Sequence, residues 1–117
     1  MAFKFESLRV WQMAVELSGD VSDLCRTFPE HERFVLANQI QRAADSVSLN
    51  IAEGSTGQST AEFRRFLGIA LRSAIEVVGC LLLGRKRGLI SEEEFDWFYK
   101  ELTALIKGIQ ALRSSLK

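Results

Sequence analysis

The sequence predicts an all-α fold: an antiparallel up-down-up-down, left-handed four-helix bundle filling one domain over residues 1–117. Three observations carry that prediction. Apolar residues recur at three- and four-residue steps through four long stretches, about 7–27, 29–53, 60–87 and 92–115. Short, turn-rich connections separate them, which favours antiparallel neighbours. The chain holds a single proline and no regular Val/Ile/Thr alternation, which argues against a sheet. With 117 residues, 47% hydrophobic and 26% charged, it is long enough for one core and too apolar to be disordered. The seam period lies nearer 3.5 than 3.6 residues, the condition for left-handed packing.

In the first helix, Leu8, Trp11, Val15, Ser18, Val21, Cys25 and Phe28 form one row, and Val10, Leu17 and Leu24 broaden it. The helix is expected to stop near Thr27-Phe28-Pro29, because the residue before proline is pushed out of the α region. Pro29 then suits the first turn of helix two, with Glu30 and Glu32 at its positive end. Gly54 is expected just past that helix as a left-handed terminator, followed by the loop Gly54-Ser55-Thr56-Gly57-Gln58.

Ser59 and Glu62 have capping-box spacing and open helix three. There Phe63, Leu67, Ala70, Ala74, Val77 and Leu81 make one row, and Leu71, Ile75, Val78 and Leu82 a second beside it. Two rows exceed what one seam needs, so burial against another subunit is expected. Gly84 and Gly88 bracket the end of that helix. Ser91 and Glu94 repeat the capping-box spacing ahead of helix four. Its stripe is Phe95, Phe98, Leu102, Leu105, Ile109, Leu112 and Leu116, with a line of small residues (Ala104, Gly108, Ala111, Ser115) for a close neighbour.

Helix two carries the most unusual pattern. Gln39, Arg42, Ser46, Asn50 and Glu53 follow one another at steps of three and four, a polar row set against the apolar stripe Leu36, Ile40, Ala43, Val47 and Ile51. Half-buried polar groups need partners, so the row is expected to meet a neighbouring helix or subunit. In an antiparallel pairing of helices two and three, Gln39 and Arg42 fall near Glu76. An Arg42–Glu76 ion pair is the expected contact.

Formal net charge is zero, yet residues 1–58 hold five Lys/Arg against eight Asp/Glu, and residues 59–117 hold ten against seven. Arg65, Arg72 and Lys86 stand at multiples of seven on one face of helix three, with Gly79 between them. With Arg85 and Arg87 they are the candidate nucleic-acid contacts, able to track phosphates without reading sequence. The bland reading is a solvated helix face and a helix C-terminus where cations suit the macrodipole.

No enzyme is expected. His31 is the only histidine and sits at a helix start. One histidine cannot supply the paired Glu-x-x-His sets of a bundle di-iron centre. No phosphate loop, Ser/His/Asp set or activated cysteine is present. No metal, cofactor or small-molecule substrate is implied. Cys25 and Cys80 lack CxxC spacing and read as core thiols. The opening residues lack a signal-peptide core and no apolar run reaches the ~20 residues of a spanning helix, so a cytoplasmic protein without a membrane role is expected.

The pattern Phe28-Pro29-x-x-Glu32-x-Phe34-x-Leu36-x-x-Gln39-x-x-Arg42-Ala43-Ala44-x-Ser46-Val47-x-x-Asn50-Ile51-Ala52-Glu53-Gly54 resembles that of the bacterial four-helix-bundle proteins first noted as reading frames inside 23S ribosomal RNA intervening sequences. Glu62-Phe63-x-x-Phe66-Leu67-x-Ile69-Ala70-x-x-Ser73-x-x-Glu76 and the opening Phe5-x-x-Leu8-x-Val10-Trp11 are similar to that family as well. Ser48 stands where the family commonly has proline. The resemblance implies a bundle assembled as a ring-like homopentamer, related in fold to the accessory variability protein of diversity-generating retroelements, which works with a reverse transcriptase and nucleic acid. That relative is strongly basic and this chain is neutral. For most members no activity is established. The function expected on this footing is a non-enzymatic oligomeric scaffold or adaptor, partnered by RNA, DNA or a nucleic-acid enzyme. The alternative is a purely protein-binding module. Gln39, Arg42, Ser46, Asn50, Glu53 and Glu76 are its candidate structural and interface residues.

Overall fold

The computed structural model describes residues 3–57 and 59–117; Met1, Ala2 and the loop residue Gln58 lie outside them. Four α-helices make up the fold: α1 Arg9–Cys25, α2 Leu36–Ser55, α3 Thr60–Lys86 and α4 Glu92–Ser115. Short 3-10 turns precede α1 (Lys4–Ser7) and α2 (Glu30–Glu32), and no strand occurs among the described residues.

Side-chain contacts tie each helix to the next. Between α1 and α2, the Gln41 amide reaches the Ser18 carbonyl and the Cys25 thiol donates to the Ala37 carbonyl. From α2 to α3, Gln39 meets Glu76, Ser46 meets Ser73, and Gly54 lies against Phe66. From α3 to α4, Arg85 meets Glu92 at one end and Arg64 bonds the Arg113 carbonyl at the other.

The core draws from all four helices. Phe63, Leu67, Ala70, Ala74, Val77 and Leu81 are buried as the first α3 row requires, and so are Phe95, Phe98, Leu102, Leu105 and Ile109 of α4. Each fully enclosed Leu or Ile contributes about 1.5–3 kcal/mol from area removed from water. In α1 the register differs from expectation. The buried line is Val10, Ala14, Leu17, Val21 and Leu24, while Val15 of the expected main row is 42% exposed. Two apolar rows lie side by side there, and the buried one runs through Ala14, which is fully enclosed.

The second helix also begins later than expected. Pro29 caps only the 3-10 turn Glu30–Glu32, and the chain reorients at Val35 (φ −114°, ψ −95°) before α2 starts at Leu36. The cause lies in Glu32, which is 8% exposed and held by Arg87 at the far end of α3, 3.3 Å away. Pinning that carboxylate fixes the turn apart from the helix. Gly54 is not a left-handed terminator, since α2 continues through it to Ser55 and Gly88 alone among the described glycines has positive φ (74°). Gly54 serves close approach instead: a Cβ there would stand 2.5 Å from the Phe66 Cβ. Gly84 has the same role against Ile90. Gly108 likewise lets α1 approach α4, for its Cβ would meet a Val10 methyl at 2.9 Å.

The two caps differ. Ser91 and Glu94 form the full reciprocal box at α4. At α3 the Ser59 hydroxyl accepts from the Glu62 amide at 3.1 Å, but the Glu62 carboxylate turns to Arg65.

Candidate functional site

The α2 polar row borders an open groove of about 560 Å³ between α2 and α3, lined by Val35, Asn38, Gln39, Arg42, Ser46, Ser73 and Glu76 among others. At its floor the Ser46 and Ser73 hydroxyls bond across the helices at 2.9 Å. The Asn50 amide donates to both the carbonyl and the hydroxyl of Ser46, so Asn50 turns back on its own helix instead of crossing to α3. Gln39 does cross, its amide reaching Glu76 at 3.5 Å.

The expected Arg42–Glu76 ion pair does not form within 4.0 Å, although both residues line the groove. The helix explains this. Three residues on from Gln39, Arg42 is rotated about 60° away, toward the solvent rim. Glu53 is exposed at the hairpin end, where it lines a depression with Glu62 and Phe66. The row thus divides into two inter-helix ties, Gln39 and Ser46, one local brace, Asn50, and two open charges, Arg42 and Glu53.

The candidate basic residues divide as well. Arg65 pairs with Glu62 at 2.9 Å, an exposed contact that holds the Glu62 carboxyl below its ordinary range and raises the Arg65 guanidinium. Arg85 lies 3.9 Å over the Phe95 ring and 3.7 Å from Glu92. Arg87 is committed to Glu32. Arg72 and Lys86 form no ion pair among the described residues. Heptad spacing and the Arg85-Lys86-Arg87 run put these five in one group because sequence cannot show which cations have internal carboxylates.

A second groove, not anticipated, lies between α1 and α4. Glu16, Asp20, Asp23 and Glu101 converge there beside the half-exposed Trp97. Burial, and then Asp23, Glu16 and Glu101, push the Asp20 carboxyl above its ordinary value. The signal was present in the α1 sequence as carboxylates at positions 16, 20 and 23, but their companion Glu101 is visible only once α4 is folded alongside.

Chemistry-bearing groups are sparse. His31 is exposed in the 3-10 turn. Burial, with a smaller effect from Cys80, raises the Cys25 thiol to about 11, and both cysteines are free. Among the described residues, no group of three or more His, Cys, Asp or Glu could hold a metal.

Fold and grooves together define an all-α helical protein whose distinctive residues sit at helix contacts and on open faces. The chain belongs to the 23S rRNA-intervening sequence protein family, whose model matches residues 6–111. It is similar to a crystal structure from Bacteroides thetaiotaomicron, described as a protein of unknown function from the S23 ribosomal protein family. The two share 26% identity at a TM-score of 0.84, over 90% of this chain and 95% of that one. No curated protein matches the chain. The family is of unknown function, as is this structural neighbour.

Proposed function

We propose that this chain is one antiparallel up-down-up-down bundle domain, packed with left-handed crossings, that works as a non-enzymatic oligomeric scaffold in the cytoplasm. The observation that carries the reading is the state of α3. By length and composition α3 is apolar enough to cross a membrane, yet its face of Phe63, Leu67, Ala74, Val77 and Leu81 is the core of the bundle. Only 33% of its most apolar window is buried, which leaves Ile69, Ile75, Leu82 and Leu83 open. An exposed apolar surface of this kind marks a protein or membrane contact, and the charges of Arg72, Glu76 and Lys86 on the same helix favour protein. The ring-like homopentamer implied by the family resemblance is one assembly that would cover it. Two free thiols suit a reducing compartment.

Of the two partner classes, the geometry favours protein over nucleic acid. Three of the five candidate phosphate contacts already have internal partners, leaving Arg72 and Lys86. A nucleic-acid reading keeps one supporting feature: a ring would repeat that pair of cations once per subunit.

The discriminating experiment is binding of nonspecific RNA and DNA across a salt series. A protein-binding scaffold gives a slope of log K against log salt near zero. A slope of about −2 or steeper would show two or more phosphates neutralised and restore nucleic acid as the partner.

A further inference from the structure

The open face of α3 and the acidic α1/α4 groove are unlike and complementary. Gly79 sits at the middle of the α3 face, with nothing within 4 Å of where a Cβ would stand. Ile75 and Leu82 flank this notch, 55% and 43% exposed, and Arg72 and Lys86 stand seven residues to either side of it. The other groove has the opposite character: a half-exposed indole, Trp97, ringed by Glu16, Asp20, Asp23 and Glu101. Its one basic lining residue, Arg26, is taken by Asp23 at 2.7 Å.

We propose that a second copy of this chain covers the α3 face with its α1/α4 groove, Trp97 seating in the Gly79 notch and the groove carboxylates meeting Arg72 and Lys86. This rests on the oligomeric reading above and names the surfaces that make it.

Charge decides between arrangements. Pairing α3 antiparallel with another α3 about Gly79 sets Arg72 opposite Lys86, cation against cation, which disfavours a two-fold contact through this face. Docking against the acidic groove sets carboxylates opposite Arg72 and Lys86 instead, with Glu76 the one acidic group between them on the α3 face. Trp97 adds a flat apolar surface to bury and a ring face for a cation. The Asp20 carboxyl is raised by burial first and by Asp23, Glu16 and Glu101 after it, so a cation brought to the groove would meet three carboxylates around a fourth. Lipid is a poorer occupant, because Arg72 and Glu76 would enter hydrocarbon beside the apolar residues. Joining one face to a different face is a heterologous contact, the kind that generates rings when the rotation closes. A chain of zero net charge with separated signs is suited to it.

The test compares solution masses by sedimentation velocity, with circular dichroism to show that each variant is folded. The chains are wild type, Arg72→Glu with Lys86→Glu, Asp20→Lys with Glu101→Lys, and all four substitutions together. Each two-substitution chain is expected to need at least tenfold more protein to assemble, and the four-substitution chain, with both signs inverted, to recover. Gly79→Trp fills the notch at an open position and is expected to abolish assembly while the protomer stays helical. Wild-type mass in both charge-reversed pairs would overturn the proposal and leave the scaffold reading standing. A wild-type monomer would overturn both. Loss of RNA binding without loss of mass in the α3 pair would assign this face to nucleic acid and overturn the proposal.

Discussion

Replacing Gly54 with alanine tests the packing of α2 on α3 at a single atom. In an unobstructed helix, glycine to alanine stabilises by about 1 kcal/mol, because alanine loses less backbone entropy on folding. At Gly54 the added Cβ would stand 2.5 Å from the Phe66 Cβ and 3.1 Å from a Phe63 ring carbon. The Phe66 Cβ is bonded to the α3 backbone and cannot rotate aside, so the helices must part. Overpacking of that kind costs about 1–3 kcal/mol, and the rigid contact places this site near the upper end. Set against the propensity gain, the net loss is about 2 kcal/mol. Gly19 of α1 supplies the control, for nothing lies within 4 Å of its Cβ position. Gly19→Ala is expected to gain about 1 kcal/mol, so the two variants should differ by about 3 kcal/mol. Urea unfolding followed by circular dichroism, at one fixed protein concentration, reads both values. A Gly54→Ala chain as stable as wild type would refute the close-approach reading.

Three further outcomes follow from the same structure. The Ser46–Ser73 bond is half-buried, so a double-mutant cycle with alanine at both positions is expected to give a coupling of about 0.5–1.5 kcal/mol; a value near zero would mean the hydroxyls are satisfied by water. Arg87→Ala leaves the Glu32 carboxylate enclosed without its cation and is expected to cost about 1–3 kcal/mol, and Glu32→Gln in the same chain to recover part of that loss; no recovery would show that Arg87 acts through its packing alone. Asp20 titrates higher in the fold than its ordinary 3.8. The folded chain therefore binds more protons between those two values, and wild-type stability falls as pH rises through that window. Asp20→Asn is expected to raise Tm at pH 7 and to converge with wild type near pH 3; equal Tm values at pH 7 would show that burial and neighbouring carboxylates do not penalise the Asp20 charge.

Sequence periodicity located what depends on many residues at once. The α3 and α4 seams are long and regular, and every residue of the first α3 row is buried. Where one residue decides, the pattern was ambiguous. Ala14 belongs to the α1 seam, but alanine carries too little hydrophobic weight to mark it against Val15. The delayed start of α2 depends on Glu32 and Arg87, 55 residues apart, and no local pattern shows that they meet. Gly54 fits a terminator motif as well as a packing motif, and only the distance to Phe66 separates them. The α2 row had the same limit: its spacing was legible, while the partner of each member was not. Asn50 braces Ser46, and Gln39, in place of Arg42, takes Glu76. The acidic groove needed α4 to fold beside α1 before its carboxylates became one feature.

The central claim is that this chain works as an assembly whose open α3 face is covered by protein. Sedimentation equilibrium of the purified chain at micromolar concentration tests it most directly. The account predicts a discrete species at a whole-number multiple of 13.2 kDa, unchanged by nuclease treatment. A single species of 13.2 kDa would contradict it.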